Sequence, residues 1–375
     1  GSSFFCFKAS GSSRTGPGCR SSFPPAQHVY AFASHPAVVW SSRPLACSTT
    51  MAPSATRPLP EALRVECFAS SALECGVAEA RGRRKEHEDA HSVTCTERGG
   101  DIWVLDGHRG AVASAFGAQE LPQEIGRAVG KGGFPSDASI RQKFRTVDNR
   151  LRKHLKENTK SAIAGSTVVG ALVARQEDGT FSAKVINCGD SRAIVVHDPG
   201  AANSSPTMLQ TVDHKPDHPI ERARILEAGG TVSKGRCPRV DGRLAVARSL
   251  GDFDYKSDKG LQASKQKVSC EPDVYQVSRL KPGSLLLLAC DGVWDVMTSD
   301  GVADMVQEAL KKSPGTSLGD IAKSVVCESY ERGSCDNLTV LLARLTGVAP
   351  DMPGEDVCAR RSEEAADPVE SGVAE

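Results

Sequence analysis

Four aspartates in this sequence share one local setting, each standing at an end of a short apolar run. Ile102-Trp103-Val104-Leu105 leads into Asp106-Gly107-His108, the run 285–290 leads into Asp291-Gly292, Ile186-Asn187-Cys188-Gly189 leads into Asp190, and Asp336-Asn337 opens the run 338–342. Such runs read as strands, so each aspartate is an oxygen donor on a rigid mount, and a neighbouring glycine lets backbone and ions approach closely. Donor sets made only of oxygen suit hard divalent cations, Mg²⁺ or Mn²⁺. Glu88-Asp89 adds two more carboxylates, and Arg84 lies in the basic run 81–85. Each of these has a duller reading when taken alone. An Asp-Gly pair is usually a turn, Glu88-Asp89 a solvated pair or a helix start, His108 a hydrogen-bonded loop residue, and Arg84 part of an exposed basic face.

The elements that must hold these residues are legible in outline. Strand patterns fall at 102–105, 167–174, 183–187, 193–196, 285–289 and 338–342, and helical patterns at 138–156, 220–227, 299–311 and 318–330. Helices grouped between sets of strands, rather than alternating with them one for one, predict an α+β packing instead of a doubly wound parallel sheet.

Bulk composition removes several function classes. Lys and Arg (46) balance Asp and Glu (46), so there is no basic excess to bind nucleic acid. The 13 cysteines include no Cys-x-x-Cys pair, which points away from zinc and redox motifs and toward a reducing compartment, with Cys188 and Cys290 as buried small apolar residues. The purely apolar stretch 285–290 is too short to span a bilayer, so no membrane span is expected. Residues 1–64 read as a disordered leader: 1–60 contain no Asp or Glu, a composition shared with transit peptides, although Met51 also begins a plausible shorter product. Residues 65–345 read as one domain and 346–375 as an acidic disordered tail. The expected location is cytoplasmic or nuclear, or organellar if the leader is a genuine transit peptide, and the expected state is a monomer.

The ordered combination of motifs says more than any member of it. Gly82-Arg83-Arg84, Glu88-Asp89-Ala90, Asp106-Gly107-His108, Gly165-Ser166-Thr167 and Gly189-Asp190-Ser191-Arg192 are followed by Asp213-His214-Lys215-Pro216 and then by Arg243 through Asp252. Glu271-Pro272-Asp273, Asp291-Gly292-Val293-Trp294-Asp295 and Asp336-Asn337-Leu338-Thr339 complete the series. Over residues 75–345 this order and spacing resemble the type 2C metal-dependent Ser/Thr protein phosphatases (PPM-type).

The resemblance implies a central sandwich of two antiparallel β-sheets flanked by helices, with a two-metal cleft at one edge. It implies that Asp106, Asp291 and Asp336 hold two Mg²⁺ or Mn²⁺ ions together with the Gly107 carbonyl and Glu88, that Asp89 supports them, and that Asp190 with Asp291 forms a third, weaker position that Asp295 assists. The implied reaction is hydrolysis of phosphoserine and phosphothreonine in phosphoprotein substrates by an activated water, without a covalent phosphoenzyme. Arg84 would grip the phosphate and His108 would protonate the leaving oxygen. The segment 229–246 corresponds to the family's flap, and Gly235 stands where members coupled to plant hormone receptors carry tryptophan, which argues against that partnership. One departure lies beside the implied metals: the family's usual Asp-Gly-His-Gly-Gly reads Asp106-Gly107-His108-Arg109-Gly110 here. Arg109 imposes an arginine on a positive-φ position, offers a charge to substrate, or is an exposed arginine on a loop whose backbone tolerates it. The alternative it raises is a catalytically weak phosphatase-like binding protein.

Overall fold

Most of the apolar runs become strands buried on both faces, and this accounts for the layered architecture. The computed structural model describes residues 60–126, 133–158, 163–196, 207–347 and 360–361. In chain order its strands are β1 (Arg64–Ala69), β2 (Leu73–Ala80), β3 (Ala90–Thr96), β4 (Gly99–Leu105), β5 (Gly107–His108), β6 (Gly165–Ser166), β7 (Val168–Arg175) and β8 (Phe181–Cys188). They continue with β9 (Arg192–Val196), β10 (Thr207–Gln210), β11 (Leu250–Gly251), β12 (Asp273–Leu280), β13 (Leu285–Ala289), β14 (Leu338–Leu345) and β15 (Arg360–Arg361). The helices are α1 (Val112–Glu124), α2 (Asp137–Asn158), α3 (Pro219–Glu227), α4 (Asp291–Trp294), α5 (Ser299–Lys312) and α6 (Leu318–Glu331).

Two antiparallel sheets face each other, one ordered β10-β9-β13-β14-β2-β1-β15 and the other β12-β8-β7-β4-β3. Side-chain alternation divides each strand between two cores. Along β13, Leu286 and Leu288 join Val77, Leu341, Ile102, Val104, Val169 and Val185 between the sheets. Leu285, Leu287 and Ala289 turn the other way, onto Val302 and Val306 of α5 and Ile321 and Val325 of α6. On the facing sheet, Trp103, Leu105, Val168 and Ile186 turn outward onto Phe144, Val147 and Leu151 of α2. The layers are therefore helix, sheet, sheet, helix, and strands covered on both faces read as continuous apolar runs.

This is the expected sandwich with flanking helices. The four helical patterns correspond to α2, α3, α5 and α6. The last two carry start signals, for Thr298 accepts from the Gly301 backbone N–H and Ser317 from that of Asp320. Helix α1 had no such signal: it begins without a side-chain cap and contains Pro122. Strand β2 also escaped notice because Leu-Glu-Cys-Gly-Val-Ala-Glu-Ala is poor in β-formers, and its place between β14 and β1 makes it a strand.

The leader read at 1–64 lies outside the described residues as far as residue 59, and β1 begins at Arg64. Of the segment read as a tail, Arg360–Arg361 pairs with β1 and the rest beyond residue 347 lies outside the described residues. No helix among the described residues is long and apolar enough to cross a membrane.

Candidate active site

Antiparallel register brings the acidic residues to one edge of the sandwich. The end of β4 lies beside the start of β3 (Ala90↔Leu105) and of β7 (Val104↔Val169), and the end of β8 lies beside the start of β7 (Val168↔Cys188). In the other sheet the end of β13 meets the starts of β14 (Ala289↔Val340) and β9 (Ala289↔Arg192). Asp89, Asp106 and Asp190 therefore emerge from one sheet where Asp291 and Asp336 emerge from the other.

Their charges act on one another. Burial, followed by the charges of Asp291, Asp89, Asp336 and Asp190, pushes the Asp106 carboxyl well above its ordinary range. Asp291 is pushed well up by burial and then by Asp190, Asp336 and Asp295, with Lys215 opposing. Asp89, which is 8% exposed, rises to about 6, chiefly through burial. Its Oδ2 accepts from Thr339 Oγ1 at 2.7 Å, while its Oδ1 is buried with no hydrogen-bond partner. Asp190 is raised by burial against the pull of Lys215, whose Nζ donates to Asp190 Oδ2 at 3.2 Å and lies 3.7 Å from Asp295 Oδ1. Arg84 Nη2 donates to Asp336 Oδ2 at 2.5 Å and its Nε to the Cys335 carbonyl at 3.3 Å. Arg84 and Lys215 are thus set against five crowded aspartates.

The neighbouring arginine points elsewhere. Arg83 donates to the backbone carbonyls of Ser334 and Tyr330 and stacks 4.0 Å over the Tyr330 ring, so its role is to anchor the loop. Glu88 is held at three points. Its N–H donates to Asn337 Oδ1 at 2.9 Å, its Oε1 accepts from the Gly110 N–H at 2.5 Å, and its carbonyl accepts from Ser114 Oγ.

Cys290 lies with Asp89 and Asp106, the ligand atoms of the three falling within 4.8 Å of one another. Its thiol is a poor donor for an ion. It accepts from the Thr339 N–H at 3.2 Å and donates to the Asn337 carbonyl, and burial with nearby carboxylate charge pushes its pKa well up. The available donors are carboxylates, which fit a hard divalent cation, and the unpartnered Asp89 Oδ1 is an atom such a cation's shell would satisfy.

His108 is positioned by a small sheet, β11-β6-β5. His108 on β5 pairs with Gly165 on β6, and its Nε2 lies 2.7 Å from Asp252 Oδ2. Burial opposes the charged imidazole, but Asp252's charge and hydrogen bond outweigh it, so the His108 pKa is raised. Ser249 Oγ donates to the same Asp252 oxygen at 2.6 Å. Glycine is required at position 165 by close approach, since a Cβ there would lie 2.2 Å from Asp252 Oδ2 and 2.4 Å from His108 Nε2.

Asp252 is the site residue that sequence reasoning overlooked. It closes the motif ending Ser249-Leu250-Gly251-Asp252, but nothing local ties it to a histidine 144 positions earlier. Arg109 has φ +60°, the left-handed backbone, and its Nη1 lies 4.0 Å from Asp252 Oδ1. The positive-φ expectation for this position therefore holds, and its guanidinium faces the acid that supports His108.

Comparison with known proteins agrees with this geometry. The family model Protein phosphatase 2C matches residues 73–338. Protein phosphatase 1B of Mus musculus is 35% identical over 324 residues, covering 82% of this chain and 78% of that protein. Protein phosphatase 1A of Homo sapiens is 35% identical over 283 residues, covering 72% of this chain and 70% of that protein. A phosphatase from a pathogenic strain of Toxoplasma gondii superposes with a TM-score of 0.70 at 27% identity, covering 80% of this chain and 99% of that one. An acid-rimmed sandwich of this kind defines a class of phosphatases. The chain belongs to the protein phosphatase 2C family.

Proposed function

We propose that the protein hydrolyses phosphoserine and phosphothreonine in phosphoprotein substrates with Mg²⁺ or Mn²⁺ as cofactor. The observation that carries this reading is the excess of buried carboxylate over cation at one edge of the sandwich. Asp106, Asp291 and Asp336, with the Gly107 carbonyl and Glu88, would hold two ions, Asp89 would support them, and Asp190 would contribute to a third position. Ions bound there would supply Lewis-acid charge and would lower the pKa of a water available for attack.

The chain's own groups do the rest. Arg84, already aimed at Asp336, offers a planar fork of donors to the phosphoryl oxygens. His108 keeps Nε2 on Asp252, which leaves Nδ1 as the ring position that gives a proton to the departing seryl or threonyl oxygen. Burial opposes the charge on that imidazole, and Asp252 outweighs it, so the ring holds its proton more tightly than a free histidine. The Cys290 thiol beside the aspartates is buried and held neutral, so it is no nucleophile, and water attacks phosphorus directly.

The test is phosphate release from a phosphothreonine peptide by the full chain, with Mn²⁺ or Mg²⁺ and after chelation, in water enriched in heavy oxygen. Metal-dependent release with label in the phosphate is expected. Release that ignores the chelator, or a trapped phosphoenzyme, would overturn the reading.

A further inference from the structure

The two sheets meet along a seam of β2 against β3, away from the β-pairings within each sheet. Glu79 Oε2 lies 3.0 Å from His91 Nδ1, and four residues along each strand Cys75 Sγ lies 3.8 Å from Cys95 Sγ. Val77 and Val93, midway between these pairs, share the core between the sheets. The cysteine pair is thus in step with the seam and at its far end from the cleft. On β2, Cys75 pairs with Ala343 while Ala80 pairs with Leu338 beside Asp336; on β3, Cys95 pairs with Gly100 while Ala90 pairs with Leu105 beside Asp106.

We propose that Cys75 and Cys95 form a reversible disulfide under hydrogen peroxide, a covalent modification that joins one sheet to the other. The sulfurs must close from 3.8 Å to about 2 Å. Strand β3 can supply that movement because it is the edge strand of its sheet, paired among the described strands with β4 alone. Cys67 does not compete for Cys75. It pairs with Gly76, so it leaves β1 on the opposite face, where its Sγ would lie 2.7 Å from a Cβ built on Gly319 of α6.

The two thiols have unequal roles. Cys95 is partly exposed and Cys75 is buried. The hydrogen bond from Cys75 lowers the Cys95 pKa despite burial, whereas Cys75 is raised. Cys95 thiolate attacks the peroxide: its S–O bond forms, the O–O bond breaks, and the departing hydroxide takes up a proton to become water. Cys75 sulfur then attacks the Cys95 sulfenic acid. The S–S bond forms, the S–O bond breaks, and the Cys75 proton leaves with the hydroxyl as a second water. Two thiols are oxidised by two electrons as one peroxide is reduced.

The experiment exposes the full chain to graded peroxide, blocks remaining thiols with N-ethylmaleimide under denaturing conditions, and maps peptides with and without dithiothreitol. A Cys75–Cys95 cross-linked peptide is expected, lighter by two hydrogen atoms than its reduced parts and lost on reduction. Oxidation is also expected to raise the melting temperature of the wild-type chain and not that of Cys95→Ser. Both cysteines recovered as alkylated thiols at doses that oxidise the exposed Cys237, Cys95 recovered as a sulfinic acid, or a cross-link from either to another cysteine would overturn the proposal. The mapping needs only the wild-type chain, so it stands even if Cys95→Ser folds poorly.

Discussion

Glu221 on the buried side of α3 and Asp106 and Asp291 at the cleft are acids whose surroundings differ in the supply of cations. Burial would raise Glu221, but Arg248 and Arg224 overcome it and hold the carboxyl below its ordinary value. Arg248 Nη2 lies 2.7 Å from Glu221 Oε1, and Arg248 Nη1 lies 2.7 Å from Asp273 Oδ1, while His214 Nε2 lies 3.2 Å from the other oxygen, Asp273 Oδ2. That network is complete within the chain and ties α3 to the start of β12. At the cleft burial, followed by the charges of neighbouring aspartates, pushes Asp106 and Asp291 up. A buried acid with arginines around it serves the fold. A group of acids that outnumbers its cations is arranged for charge that comes from outside, and its members make the folded chain less stable until that charge arrives.

The strongest way to break this comparison is to strand the arginines. Glu221→Ala leaves Arg224 and Arg248 without their shared carboxylate and should cost roughly 3–5 kcal/mol in denaturant unfolding. A loss below about 1 kcal/mol would show that this network is not what holds α3. The converse substitution is Asp291→Asn, expected to reduce kcat/KM for a phosphothreonine peptide about 100-fold or more while raising the melting temperature in chelator, because it removes a repelled charge. Lower stability in chelator would contradict the unpaired-acid account.

A third buried acid sharpens the point without any catalytic role. Asp101 accepts from Trp103 Nε1 at 2.6 Å, and burial raises its pKa to about 6. The folded state therefore binds a proton more tightly than the unfolded chain, so this residue's contribution to stability falls as pH rises from about 4 to about 6. Asp101→Asn keeps an oxygen for the indole and should stabilise the protein by about 2 kcal/mol at pH 7, by about half of that at pH 5 and by almost nothing near pH 3.5. Equal effects across these pH values would refute the shift. The smallest expected effect is at Arg109, where Arg109→Gly should relieve about 1 kcal/mol of left-handed strain. Because Arg109 also faces Asp252, the melting temperature should be read with kcat on neutral and acidic phosphopeptides. A selective rise in KM for acidic peptides without a gain in stability would assign the arginine to substrate instead.

Strand runs with Asp106, Asp190, Asp291 and Asp336 at their ends were visible in the chain because a strand buried on both faces must be apolar throughout and an acid must mark where burial stops. Helices α5 and α6 were visible through their helical patterns at 299–311 and 318–330, and the structure adds the Thr298 and Ser317 caps that start them. Motif order was enough to indicate the family, and the resemblance favours Arg84 over Arg83. Other features are long-range and left no local trace. Strand β2 exists because β14 and β1 flank it, and α1 because it packs against β4 and α2. The pairing of His108 with Asp252 spans 144 positions and depends on Gly165 leaving room between them. The left-handed backbone of Arg109 and the meeting of Cys75 with Cys95 across two sheets are likewise products of packing. Local sequence determines which residues can end a strand, cap a helix or hold a proton; which of them come within 4 Å of each other is set by register and sheet-on-sheet packing, and these are properties of the whole chain.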